Sequence, residues 1–124
     1  MAIYNLEEFK SLVKANRWHY LNERRTFKHL DKLDWSDEDF TTMLDCLTTD
    51  DFKKSFSNNK VNDYPNLDYV DADQFVIHWD MDEHVRKDRA SSSTLELSMK
   101  IAVISDAIGN LSGIVDFHLS SSVD

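Results

Sequence analysis

Lys54, Lys100 and His118 are the side chains whose types and spacing could do chemistry together. Lys100 and His118 fall on the polar faces of two strands predicted on either side of Gly109, and both are equally far from it along the chain. A turn centred near residues 109–110 would set them nearly opposite each other on adjacent strands. Lys54 would reach the same place from the end of a preceding helical segment. A lysine beside a histidine on a sheet, with a second lysine delivered alongside, suits cleavage of RNA. One group takes the 2′-hydroxyl proton, one protonates the leaving oxygen, and the cations stabilise the phosphorane. Arg24, Arg25 and Lys53 stand at the margin of this group as candidates to bind substrate phosphate. Polar side chains on an exposed sheet face serve solvation equally well, so these residues define a candidate site and not an activity.

A second cluster is His78, Asp80 and Asp82, which alternate along another predicted strand with Glu83 and His84 beside them. Such a set could hold a divalent metal, but adjacent acids on a strand repel each other and face water, so a solvated face is the favoured reading. Two glycines leave no material for a Gly-rich phosphate cradle, and one cysteine with scattered histidines makes no zinc cage. The expected chemistry needs neither metal nor cofactor.

The elements that must position these residues change character halfway along the chain. Asn5 with Glu8 resembles a capping box, and Leu6, Phe9, Leu12 and Val13 form one apolar stripe, which predicts a helix over about 6–15. Trp18, Tyr20 and Leu21 read as an aromatic connector. Residues 24–33 predict another helical segment, with Phe27, Leu30 and Leu33 inward and Arg24, Arg25 and Lys28 outward. Ser36 can cap a third helix whose stripe is Phe40, Met43, Leu44 and Leu47. After a break at Thr48–Thr49, Phe52 and Phe56 stand four apart, which predicts a short helical piece holding Lys53 and Lys54 at the surface. Residues 57–67 are polar, contain the one proline and read as a loop.

From Asp73 the period becomes two. Phe75, Ile77, Trp79 and Met81 alternate with Val76, His78, Asp80 and Asp82, and Leu95 to Val103 and Val115 to Leu119 alternate in the same way with mostly polar neighbours. The intervening 83–93 segment reads as a long connection, and the last five residues as a frayed tail. Helices first and then about three strands indicate one α+β domain over 1–124, with helices packed on a small, mostly antiparallel sheet. The helical part is expected over about 5–56 and the sheet part over about 68–120.

The chain has 124 residues, 41% of them hydrophobic, enough for a sizeable core. Its net charge of −9 opposes non-specific binding to nucleic acid. The charge is uneven. Lys10, Lys14, Arg17, Arg24, Arg25, Lys28 and Lys32 outnumber the acids of residues 1–32, whereas residues 34–51 hold acids and no lysine or arginine. The single Cys46 fits a reducing compartment, best read as a helix spacer. No signal-peptide layout and no apolar run of ~18 residues is present, so a cytoplasmic protein without membrane association is expected.

Three stretches together resemble the MqsR-type toxins of bacterial toxin–antitoxin systems, small RelE-like endoribonucleases. They are NLEEFKSLVKANRW; then LDKLDWSDEDFTTMLDCLTTDDFKKSF, which contains a DFxKS segment; then LELSMKIAVISD with GIVDFHLS. The resemblance covers most of residues 5–56 and 95–120. It implies a RelE-like fold, cleavage of mRNA, and an antitoxin protein that holds the activity in check. It assigns Lys54 as the lysine of DFxKS, Lys100 as the strand lysine, and His118 as the basic residue following Phe117. Ser98 stands where the family has a tyrosine, which leaves His118 or Tyr69 as general acid or base. The family's glutamine would stand near Trp79–Asp80. The acidic balance, above all over residues 63–88, supports an alternative: a catalytically inactive binding module that inhibits or regulates a basic, nucleic-acid-binding partner.

Overall fold

The computed structural model describes residues 1–119. The tail expected to fray lies outside them. Helix α1 (Leu6–Lys14) is followed by β1 (Trp18–Tyr20), α2 (Glu23–Leu33) and α3 (Asp37–Asp45). A 3-10 turn at Thr49–Asp51 leads into β2 (Phe52–Lys60), β3 (Tyr69–Asp80), β4 (Val85–Lys87), β5 (Thr94–Ser105) and β6 (Asn110–Leu119). The strands form one sheet in the order β1-β6-β5-β3-β2, with β4 also paired to β3. All pairs are antiparallel except β1 with β6. The architecture is the expected α+β, N-terminal helices on a mostly antiparallel sheet. Among the described residues no helix is long and apolar enough to cross a membrane.

The helices form where caps and stripes coincide. The Asn5 side chain accepts from the Glu8 amide at 2.9 Å. Ser36 and Asp39 form a reciprocal capping box that starts α3. Phe9 and Val13 of α1, Leu30 of α2, and Phe40, Met43 and Leu44 of α3 are buried against Phe75, Ile77, Trp79, Leu97, Met99, Ile101, Ile114 and Phe117 of the sheet. Each such fully buried side chain contributes about 1.5–3 kcal/mol. A smaller apolar cluster lies on the opposite face, where Leu21, Val61, Ala72, Ala102, Ile104, Leu111 and Val115 meet beneath the 61–68 loop. Gly113 is required there, because a Cβ would come within 2.7 Å of the Leu21 side chain. That loop covers one end of the second face. The other end, from Lys54 across to His118, is the polar end.

Several expectations are corrected. The segment DDFKKSF is a strand, not a helix. The Thr48–Asp51 capping box closes the 3-10 turn, Phe52 is extended at φ −63° and ψ 134°, and β3 supplies the partner. A bulge at Lys53 turns Phe52 toward the helix-side core and Phe56 toward the opposite face, pairing them with Phe75 and Ala72. The expected loop at 57–67 therefore starts only after Lys60, and β3 begins at Tyr69 and not at Asp73. The connector at Trp18–Tyr20 is a parallel edge strand, and the 83–93 connection contains β4. The sheet thus draws on residues from 18 onward, not only on 68–120.

Candidate active face on the sheet

Strand register places Lys54, Gln74, Lys100 and Asp116 in one row across β2, β3, β5 and β6. The next row on the same face holds Val76, Ser98 and His118. The sequence reading put Lys100 opposite His118. Instead Lys100 faces Asp116 and His118 faces Ser98. The cause is the turn, which lies at residues 106–109, with Ser105 paired to Asn110, and is not centred at 109–110. A one-residue bulge at Val115 then adds one to the register, so Ile101 pairs with Ile114 while Lys100 pairs with Asp116. The three predicted residues are still brought to one face, with Lys100 between the other two.

Phe56 organises the lysine end. The Lys54 and Lys100 Nζ atoms lie 4.7 and 4.1 Å from its ring centroid. Two ammonium groups are thereby gathered over one aromatic face, an arrangement each favours through cation–π attraction. Between the lysine strands, the Gln74 amide donates to the Ser98 hydroxyl at 3.0 Å. Sequence reasoning missed Gln74 and placed the family's glutamine near Trp79–Asp80. Trp79 is wholly buried on the helix side. The strict alternation with Phe75 already assigned Gln74 to the polar face, which was the signal that could have found it.

Asp116 centres the other end and was also missed. It is 7% exposed. His118 Nδ1 lies 3.5 Å from its Oδ2, and an Arg25 guanidinium nitrogen lies 3.6 Å from the same oxygen. Burial opposes ionisation of Asp116, but the His118 contact and the charges of Arg25 and Lys100 outweigh it and hold the carboxyl below its ordinary value. Helix α2 flanks this strand. Arg25, Lys28, His29 and Lys32 join Asp116 and His118 around a groove of about 380 Å³. His29 Nδ1 accepts from the Leu119 amide at 3.4 Å. Burial, then the charges of His118, Lys32 and Lys28, lower the pKa of His29. A basic face thus exists on an acidic body.

The remaining predicted residues divide. Arg25 lines the groove, whereas Arg24, one residue and about 100° around the helix, does not. Lys53 sits on the β2 bulge, outside the row, and lines a cleft at the sheet edge that Lys54 and Gln74 also border. Tyr69 opens β3 opposite Lys60, five residues and ~16 Å from the Gln74 row, so it takes no part. The Ser98 hydroxyl, where the resemblance expects a tyrosine, is buried. Asp80 is a turn cap: its carboxylate accepts from the Asp82 and Glu83 amides at 2.9 and 2.8 Å. Among the described residues no cluster of three or more histidines, cysteines or acids is placed to hold a metal.

The electrostatics predict an acid limit. Arg17 and the Ile108 and Gly109 amides hold the Asp106 carboxyl at about 2. Asp116 is shifted in the same direction. Unfolded aspartates titrate near 3.9. The stabilisation from both is complete above that value and is lost as pH falls through the folded values. His29, lowered when folded, adds a loss of the same sign below about pH 6.5. Urea midpoints measured against pH should therefore fall weakly from pH 6.5 and most steeply between about pH 4 and 2.

The class defined by these features is an α+β domain with one face of the sheet buried under helices and the polar end of the other lined by lysine, histidine and glutamine. No protein-family model, curated protein or solved structure matches this chain.

Proposed function

We propose that this chain is an MqsR-like endoribonuclease toxin that cleaves mRNA by metal-independent acid–base catalysis. The observation that carries the reading is the register that puts Lys54, Gln74 and Lys100 in one row with His118 one row on. His118 takes the proton of a ribose 2′-hydroxyl, its ring oriented through Nδ1 by Asp116. The 2′-oxygen attacks phosphorus, forming the 2′-O–P bond. Lys100, between the other two groups, stabilises the negative charge of the phosphorane. The P–O5′ bond then breaks, and the Lys54 ammonium gives the leaving oxygen its proton. Base and acid on opposite sides of Lys100 match an in-line displacement. Gln74 fixes the ribose or phosphate by hydrogen bonding, and Arg25 with the α2 cations binds a flanking phosphate.

The −9 net charge argues against indiscriminate RNA binding and is consistent with a local basic face as the one place RNA docks. The resemblance adds an antitoxin protein as partner, and the single cysteine adds a reducing, cytoplasmic setting. The test is incubation of the purified chain with a long mRNA in EDTA, with and without ribosomes. Discrete cuts that His118→Ala abolishes support the reading. A folded wild type that leaves the RNA intact under both conditions contradicts it and favours the acidic binding module.

A further inference from the structure

Phe56 is an aromatic side chain outside the core. Neither apolar cluster includes it among the described residues, whereas Phe52 on the same strand packs edge-to-face on Phe75. The Phe56 side chain is partly exposed. Lys54, Ser55 and Phe56 pair with Gln74, Asp73 and Ala72 without a break, so Lys54 and Phe56 share one face of the sheet. Phe56 therefore stands two residues and ~7 Å along β2 from the row of Lys54, Gln74 and Lys100, within the reach of one nucleotide. What lies over its ring is two ammonium groups, the Lys54 and Lys100 Nζ atoms at 4.7 and 4.1 Å from the centroid.

A partly exposed ring bordered by cations is the makeup of a site for single-stranded nucleic acid. The ring stacks a base, and the cations hold the phosphates beside it. A cation–π contact at an exposed site is weak. A phosphate offers the same ammonium groups a charge-assisted hydrogen bond, which is stronger. A nucleotide that docks here therefore draws the two lysines to its phosphate and frees the ring for its base. The order of residues gives the direction. In the proposed cleavage His118 acts on the 2′-hydroxyl at one end of the row, and Lys54 on the leaving 5′-oxygen at the other. Phe56 is on the Lys54 strand, so the base it meets belongs to the leaving nucleotide, on the 3′ side of the cut. Arg25 and the other α2 cations stand at the opposite end, beside His118. Stacking needs only a π-face, so it accepts any of the four bases.

We propose that Phe56 is a base-stacking residue that receives the nucleobase on the 3′ side of the scissile phosphate. The inference rests on the ribonuclease reading for that placement, but its binding test needs no cleavage. Oligothymidylate built on 2′-deoxyribose lacks the attacking hydroxyl and stays intact. The full chain is titrated by NMR at low salt with this oligonucleotide, with an abasic deoxyribose-phosphate chain of the same length, and with inorganic phosphate. Wild type should bind oligothymidylate at least about tenfold more tightly than the abasic chain. The Phe56 ring protons should shift upfield with oligothymidylate only. Phe56→Leu keeps an apolar side chain without a π-face. It should bind both chains as weakly as wild type binds the abasic one, with the response to inorganic phosphate and the melting temperature unchanged. Phe56→Trp should keep the preference for bases. Equal binding of the two chains by wild type overturns the proposal. So does a Phe56→Leu loss of the same size on the abasic chain, because the ring would then serve only to gather the lysines. RNA cleavage measured in parallel separates the two claims. Removing the base 3′ of the cut should slow wild type but not Phe56→Leu. Cuts indifferent to that base defeat the stacking residue alone, and base-dependent binding without cuts defeats the ribonuclease reading and the 3′ placement but not the stacking.

Discussion

Lys100→Ala should lower the rate of RNA cleavage by about 10²–10³-fold, the usual effect of removing one donor from a charge-stabilising site. The loss should fall on kcat, because the lysine meets a charge that develops only in the transition state. Lys100 is central to the row, over Phe56 on one side and opposite Asp116 on the other. Without it no lysine stands between the Asp116 carboxylate, paired with it in register, and the phosphorane. The fold should tolerate the change, since the side chain is half-exposed and the strand keeps its ladder bonds. Lys53→Ala is the control. That residue stands on the β2 bulge outside the row and should change the rate less than threefold. Single-turnover rates on one RNA, with circular dichroism to confirm folding, check both.

Asn22→Ala should cost about 3 kcal/mol of stability, near the upper range for a buried hydrogen-bonding residue. Asn22 is 2% exposed. Its amide nitrogen donates to the carbonyls of Lys60 and Val115 at 2.9 and 2.8 Å, and its oxygen accepts from the Asn62 amide at 3.0 Å. Alanine would take the side-chain donor from the Lys60 carbonyl and from the buried Val115 carbonyl, while the Asn62 amide keeps its 3.2 Å bond to the Leu21 carbonyl. For a chain of this size the melting temperature should drop by about 10 °C or more. The effect should extend to the site. Asn22 holds the residue that forms the β6 bulge, and that bulge places Asp116 opposite Lys100. A thermal melt checks the stability, and a cleavage rate below the melting transition checks the coupling.

The bulges also explain which parts of the structure were legible in the sequence. Helices α1 to α3 could be read because Asn5 and Ser36 mark their starts and the apolar stripes keep one period throughout. Strands β3, β5 and β6 could be read from their alternation, and the pairing of β5 with β6 from the turn between them. The spacing of Phe52 and Phe56 fits a helix face, and only tertiary pairing with β3 reveals a strand whose extra residue sends the two rings to opposite faces. In the last hairpin the turn lies at residues 106–109, its centre ahead of Gly109, and an insertion of the same kind at Val115 then sets Lys100 against Asp116. A bulge adds one residue without any sequence mark, so it alters register where composition is silent. Strand β1 is three residues long and carried no period to detect. Of the candidate residues, the register brings Lys54, Lys100 and His118 to one face of the sheet, with Arg25 of α2 beside its far end. Gln74 and Asp116 were missed, because the register that makes them neighbours is a property of the sheet and not of either strand alone.

The most direct measurement is the chemistry of the cut ends. RNA cleaved by the purified chain in EDTA should be examined for its terminal groups. Attack by the neighbouring 2′-oxygen, with His118 as base and Lys54 as acid, predicts a 2′,3′-cyclic phosphate on one fragment and a 5′-hydroxyl on the other. Fragments carrying a 3′-hydroxyl and a 5′-phosphate, or cleavage that EDTA abolishes, would contradict an acid–base site built from Lys54, Lys100 and His118.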